Sequence, residues 1–528
     1  MAGTILLVSG IIFSCMIANR FSDRIGMPAL IFFMVVGMVF GSEGVFKIPF
    51  DNFQMAEQIC SIALIFIMFY GGFCTKWTAA KPVLAKAALC STVGVFLTAL
   101  LTGLFCYYVL KFNLAGSFLI GAVTSSTDAA SVFSILRSKK LNLKDGTASL
   151  LEIESGSNDP VSYMLTMIGI TLLNHSGISI PVLLISQIIF GIAIGCAVAY
   201  IGILLLIHSK IIPQSFEQIF MIGLILLAFG LASLIGGNGY LSVYLMGIIL
   251  GNRKIHSKIV LVHFFDGITG MAQMVIFFLL GLLASPHKIP EVFFLAVVIS
   301  LFMVFIARPL TIFLLLKPFK ASNKQCLLVS WAGLRGAASI VFAIMVMANE
   351  LLTFDLFHIV FLIALISVAV QGTFLPLLSK KLDMVDDKSD VRKTFTDYQE
   401  EADQTLMRVE IEEGHDWENR RIREVNMPDK SLALIIRRGE KTMIPKGDTL
   451  IQSGDDVILS VPSFQENVNV VLDEIMIDRF HKWCNKEICQ IPVPKDVLIV
   501  MVKRDNETII PQGSTRIEDG DIVVVCRS

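Results

Sequence analysis

Apolar residues fill the first 380 positions in long runs broken by short polar stretches, and the pattern changes abruptly afterwards. A helix needs roughly 20 apolar residues to cross a hydrocarbon core of ~30 Å, and fewer where it is buried in protein. Thirteen runs meet that description, at about 4–20, 28–41, 58–75, 83–110, 114–135, 147–173, 182–207, 215–235, 238–252, 259–284, 290–317, 324–348 and 355–380. The second and ninth are short, and "GGNGYLSVYLMGIILGN" around the ninth reads equally as a broken or re-entrant segment. The first run lacks a basic flank and a small-residue cleavage site, so it reads as a span rather than a signal peptide. The pattern predicts an all-α polytopic membrane domain of about 13 transmembrane helices over residues 1–381, a linker over 382–404, and a tail. In the tail, apolar runs are short and alternate, with Gly-Asp turns between them, which reads as strands.

Charge tests this count independently. The chain is 55% hydrophobic and 16% charged, against about 25% charged in soluble proteins. Up to Lys381 there are 23 Lys and Arg against 14 Asp and Glu; beyond it there are 20 against 30. With the N-terminus outside, eighteen basic residues fall in inner loops or at the start of the tail, and only Lys47, Lys111 and Lys288 fall in outer loops. A span missed or added would scramble this positive-inside bias. The expected setting is a bacterial plasma (inner) membrane, with the tail cytoplasmic. The ten cysteines form no CxxC and have no supporting His spacing, so they read as core residues rather than metal ligands. No nucleic-acid partner is expected.

Ionisable residues inside spans change the picture further, because each costs at least ~2.5–3.5 kcal/mol at mid-membrane and so is paired, hydrated or functional. The fifth span holds Asp128 after the hydroxyl run Thr124, Ser125, Ser126 and Thr127. Such side chains satisfy backbone groups where a helix unwinds. In the sixth span Glu154 stacks on Asn158 and Ser155 on Asp159 at i, i+4. Glu152 fits a solvated helix start, whereas Asp159 lies about two turns deeper. The twelfth span carries Arg335 among Gly333, Gly336, Ala337 and Ala338. A lone Arg there needs an anion, and Glu154 or Asp128 is the natural candidate; its fixed charge makes it structural rather than a proton carrier. Arg308 reads as snorkelling to the inner surface, and Asp266 as sitting in a bend beside Gly267. Spans five and twelve are an odd number apart, so they run in opposite directions. Paired polar interruptions of opposite direction suggest inverted repeats with a site at the midplane.

The tail contains a repeat offset by 66 residues without gaps. "LALIIRRGEKTMIPKGDTLIQSGDDVILSV" from Leu432 matches "LIVMVKRDNETIIPQGSTRIEDGDIVVVC" from Leu498, and His415, Trp417 and Asn419 match His481, Trp483 and Asn485. Two small α+β repeats are expected, over 405–465 and 466–528. The basic pairs Arg437-Arg438 and Lys503-Arg504 read as an ordinary solvated strand edge or as phosphate ligands.

"TSSTDAA", "ESGSNDP" and "GLRGAAS", in that order and in a thirteen-span frame, resemble the cation–proton antiporter superfamily. The Asn158-Asp159 pair is similar to that of its electroneutral Na⁺(K⁺)/H⁺ exchanger branch, which includes the NhaP-type antiporters. The resemblance implies crossed, unwound helices in a mobile core domain beside a rigid domain that forms a homodimer. It implies that Asp159 binds cation or protons, that Asp128, Thr127 and Ser155 help form the ion site, and that Glu154 and Arg335 form a structural ion pair oriented by Asn158. The tail repeats resemble the C-terminal half of the K⁺-conductance regulator (RCK/TrkA-C) domain. That resemblance implies a small regulator, such as a cyclic dinucleotide, and tilts the transported ion toward K⁺. No GxGxxG follows a tail strand, so a dinucleotide cofactor is not expected, nor is any other resident cofactor.

The physics leads the same way. A carboxylate in a partly dry cavity loses its charge by taking either a proton or a cation, so the two compete for one place. The sequence therefore reads as a secondary antiporter and not an enzyme, since no nucleophile–base pair or metal cluster accompanies Asp159. The alternative is a ligand-gated cation channel, against which stands the absence of a K⁺-filter sequence such as TVGYG.

Overall fold

The structure, a computed structural model, describes the chain apart from residues 1, 26–27, 140, 142, 175–176, 178, 209–211, 254, 256–257, 350–351, 353, 386–403, 429–430, 440, 463–470, 478, 480, 492–496, 505–506, 510 and 528. The chain divides into two compact units, Met1–Gln399 and Glu400–Ser528.

The first unit is almost wholly helical. Its long elements are α1 (Ala2–Ile25), α2 (Ala29–Phe40), α3 (Phe53–Cys74), α4 (Leu84–Tyr108), α5 (Leu114–Thr124 and Ala129–Ser138), α6 (Thr147–Leu173) and α7 (Ile180–Leu206). They continue as α8 (Glu217–Leu234), α9 (Gly239–Gly251), α10 (Lys258–Leu283), α11 (Pro286–Phe319), α12 (Asn323–Trp331 and Ala337–Ala348) and α13 (Leu356–Lys381). Among the described residues, eight stretches are long and apolar enough to cross a membrane, and four apolar helices are shorter: α2, α9, the first half of α5 and the second half of α12. The 27-residue α6 is long enough, but Glu152, Glu154 and Asp159 make it less apolar. The ninth run is one continuous short helix, started by Asn238, whose side chain accepts from the Leu241 N–H at 3.0 Å. Large apolar side chains such as Phe13, Ile185, Phe294 and Phe305 are exposed on the outside, as a lipid-facing surface requires.

Close helix contacts rest on missing side chains. Gly37 of α2 meets the backbone of Phe278 and Gly281 on α10, and Gly281 meets Met34 and Gly37 in return. A Cβ at either position would collide with backbone, so the two helices touch as small-residue interfaces in membranes do. Among the described residues, four helices contain or run out into a wide π turn: Cys90–Gly94 in α4, Leu204–His208 where α7 runs out, Met303–Ala307 in α11 and Ser367–Gly372 in α13. Such turns insert about one residue into the ladder and swing the following side chains by roughly 100°.

Helices α5 and α12 are broken, and they cross at their breaks. The first half of α5 stops at Thr124, where Ser125 Oγ turns back to donate to the Ala122 carbonyl at 2.7 Å. The Asp128 N–H then donates to the Leu334 carbonyl of the α12 break at 2.8 Å. Each unwound segment thus satisfies part of the other's backbone, which non-helical chain at this depth must do.

The second unit holds two four-stranded antiparallel sheets of the same topology. β1 (Gln404–Glu410), β2 (Leu432–Arg438), β3 (Lys441–Met443) and β4 (Asp455–Pro462) pair in the order β1-β4-β2-β3. β5 (Val471–Met476), β6 (Val497–Arg504), β7 (Glu507–Ile509) and β8 (Ile522–Arg527) pair in the order β5-β8-β6-β7. Each repeat adds one 3₁₀ turn, at Ile422–Glu424 and at Ile488–Gln490. The repeat extends to local detail. Both central pairs are bulged at the same place, between Ala433 and Ile435 and between Ile499 and Met501. Asn419 and Asn485 both take positive φ, 58° and 63°, a conformation that Asn tolerates better than most residues.

Candidate functional site

The crossing gathers Ser126, Thr127 and Asp128 from α5, Ser155, Asn158 and Asp159 from α6, and Arg335 from α12. Asp159 is 6% exposed and accepts a hydrogen bond from Ser126 Oγ. Ser155 Oγ donates to the Thr127 carbonyl at 2.7 Å, and Asn158 Nδ2 donates to Thr127 Oγ1 at 2.5 Å. Asp128 takes the Ser131 hydroxyl on Oδ2. One turn further along α6, Ser162 Oγ donates to the Ala122 carbonyl at 2.7 Å, so α6 supports the α5 break along its length.

A cavity of about 30 Å³ lies at this crossing, roomy enough to admit a water or a small ion. Ser126, Thr127, Asp128, Asp159 and Gln273 line it, with Phe277 among its apolar walls. Two carboxylates, hydroxyls and an amide are the oxygen donors that hard monovalent cations accept in place of water. The space suits one small ion or one water.

Four expectations about the polar and charged residues need correction. Glu154 pairs with Arg308 of α11, not with Arg335. Arg335 instead donates from Nη1 to the carbonyls of Ser125 at 2.9 Å and Ser126 at 2.7 Å, while its own N–H donates to Ser367 Oγ at 3.1 Å. Its charge therefore serves backbone carbonyls freed by the α5 break. Arg308 does not snorkel: it is 2% exposed, immediately after the π turn of α11 that rotates it inward. Asn158 reaches Thr127 rather than the ion pair. Asp266 lies within continuous α10 rather than in a bend, and is exposed.

Three residues at the site were missed or misjudged from sequence. Ser126 was visible only as one of four hydroxyls. Arg308 carried the signal that Arg335 did, a charge inside a span, but was given the wrong escape. Gln273 was the one polar side chain in "MAQMVIFFLLGLL".

In the second unit, Arg438 Nε and Nη2 grip Asp455 at 2.7 Å each, and Nη2 also donates to the Leu450 carbonyl. Arg504 grips Asp521 in the same way, at 2.8 and 2.9 Å, with the Arg516 carbonyl in place of Leu450. These two arginines hold the Gly-Asp turns. Arg437 is exposed, and the Lys503 side chain lies outside the described residues.

Residues 10–381 match the family described as sodium/hydrogen exchanger, transmembrane. The chain belongs to the sodium/hydrogen exchanger family. Residues 406–465 and 474–526 of this exchanger-family chain each match the TrkA-C domain. The K(+)/H(+) antiporter NhaP of Alkalimonas amylolytica is 36% identical over 376 residues, which cover 70% of this chain and 65% of that protein. The K(+)/H(+) antiporter NhaP2 of Shewanella sp. (strain ANA-3) is 30% identical over 443 residues, covering 82% and 77%. The alignments thus span about two thirds and three quarters of those relatives' lengths. The solved structure of the sodium proton antiporter MjNhaP1 from Methanocaldococcus jannaschii at pH 8 shares the fold, with a TM-score of 0.64 over 72% of this chain and 99% of that one at 23% identity.

Proposed function

We propose that the protein is a secondary antiporter that exchanges one monovalent cation for one proton at Asp159. The observation that carries this reading is the enclosed Asp159 carboxylate beside an ion-sized, oxygen-lined cavity where two broken helices cross. A carboxylate so placed is neutralised by a proton or by a cation, and the two exclude one another. If only the neutralised site crosses the barrier between the two faces, each ligand's passage obliges the return of the other. One titrating acid carries one charge each way, and Asn158, which has no proton to exchange, keeps the count at one. The exchange is then electroneutral.

Asp128, Thr127 and Ser126, which line the same cavity, complete the oxygen set, Ser155 steadies the Thr127 carbonyl, and Arg335 fixes the carbonyls of the unwound segment. The Glu154–Arg308 pair is structural. K⁺ is favoured over Na⁺, because the two relatives described above are named K(+)/H(+) antiporters and because TrkA-C domains follow. The chain works as a homodimer in a bacterial plasma membrane, N-terminus outside and tail inside, as the loop charges favour. A small regulator such as a cyclic dinucleotide binds the tail, and Arg437 is its exposed basic contact.

The test is the purified protein in liposomes loaded with a pH-sensitive dye. Addition of K⁺ or Na⁺ should dissipate an imposed pH gradient at a rate independent of membrane potential, and Asp159→Asn should abolish the response without unfolding the protein. A flux that follows the potential would instead indicate a channel, and full activity in Asp159→Asn would remove the assignment.

A further inference from the structure

A second and larger cavity, about 490 Å³, lies beside the first. Asn19 near the end of α1, Pro28 just before α2, and Gly270 and Gln273 of α10 are among its walls. It therefore runs from the end where α1 finishes and α2 begins, the inner side in the orientation favoured by loop charge, to the middle of α10. Two side chains connect it with the ion-sized cavity. Ser131 lines the larger space and donates to Asp128, which lines the smaller. Gln273 lines both.

Gln273 is half-buried, and among the described residues it makes no hydrogen bond to protein. Its side chain lies where the two spaces meet, so its amide is available to whatever fills them. An ion moving from a 490 Å³ chamber to a 30 Å³ one must shed most of its water, and each lost water needs a replacing oxygen. A neutral amide oxygen suits a point of passage, because it binds a cation more weakly than a carboxylate and lets it move on.

We propose that Gln273 is a ligand for the entering cation, replacing water at the neck before the ion reaches Asp159, and that it contributes to the choice between K⁺ and Na⁺. This rests on the antiport reading above. The experiment compares wild type, Gln273→Leu and Gln273→Glu in the dye-loaded liposomes with K⁺, Na⁺ and Rb⁺. Gln273→Leu keeps the bulk and loses the oxygen; it should raise the half-saturating cation concentration about tenfold, the equivalent of one weak ligand, alter the K⁺-to-Na⁺ ratio, and change the maximal rate less. Gln273→Glu keeps the oxygens and adds charge, so it should lower the half-saturating concentration; it carries the test if the leucine variant does not fold. Wild-type half-saturation and ion ratio in Gln273→Leu, or no gain in apparent affinity with Gln273→Glu, would overturn this inference while leaving antiport intact. No cation-dependent response in the wild type would overturn both.

Discussion

Glu154 and Arg308 form an ion pair in the interior of the membrane unit, with their side chains 1% and 3% exposed. A pair this enclosed adds little net stability, but removing one partner strands the other, which typically costs ~3–5 kcal/mol. Arg308→Ala should therefore sharply lower the thermal stability of the detergent-solubilised protein, and Arg308→Ala with Glu154→Ala together should recover part of the loss. Wild-type melting in Arg308→Ala would show that Glu154 does not depend on it.

Gly336 stands where the α12 break meets Asp128. A methyl group there would overlap the Cβ and carboxylate of Asp128, so Gly336→Ala must displace that side chain from its place beside Ser131. Overpacking of this kind costs ~1–3 kcal/mol, enough to leave a folded protein. Cation-driven proton flux should fall clearly in this variant while its melting temperature shifts only modestly. Undiminished flux would mean that Asp128 is not needed where the structure puts it.

The spans were legible because lipid demands a long apolar run and loop charge gives an independent check. The breaks were legible for local reasons as well: four hydroxyls before Asp128 and two glycines around Arg335 are poor helix sequence. What stayed hidden was pairing across the bundle. Which arginine meets Glu154 depends on the rotation of α11, and a π turn at Met303–Ala307 changes that rotation without a mark that a 3.6-residue period would register. Arg335 was expected to need a carboxylate because sequence lists side chains; the carbonyls it found belong to the unwound backbone of Ser125 and Ser126. Gln273 gains its interest only from the two cavities it separates, and cavities have no sequence pattern.

Asp455 and Asp521 give the tail a defined response to acid. Burial pushes each carboxyl up, but the Arg438 or Arg504 fork and the N–H of Gln452 or Glu518 outweigh it and hold each below the usual carboxylate value. A depressed native pKa contributes stability above the unfolded value, ~3.9 for Asp, and that contribution disappears as pH falls through the native value. Hydrogen exchange on the intact protein should show strands β4 and β8 protected at neutral pH and losing protection only below about pH 4. Asp455→Asn should expose β4 at neutral pH and leave β8 unchanged, since each fork serves its own sheet. Equal loss in both strands would mean that the repeats do not hold their turns separately.

Competition at Asp159 makes a prediction that simple modulation of rate does not. If proton and cation exclude each other from one carboxylate, acidifying the cation-loading side must raise the cation concentration needed for half-maximal exchange, while saturating cation restores the maximal rate. Over the range where protons dominate the site, each unit of pH should shift half-saturation about tenfold, the change in proton concentration itself. Initial rates at several fixed pH values, each over a full series of K⁺ concentrations, would give lines meeting at one maximal rate. A maximal rate that falls with acid at constant half-saturation would place the proton at a second, separate group, and Asp128, across the same small cavity, would be the first residue to substitute.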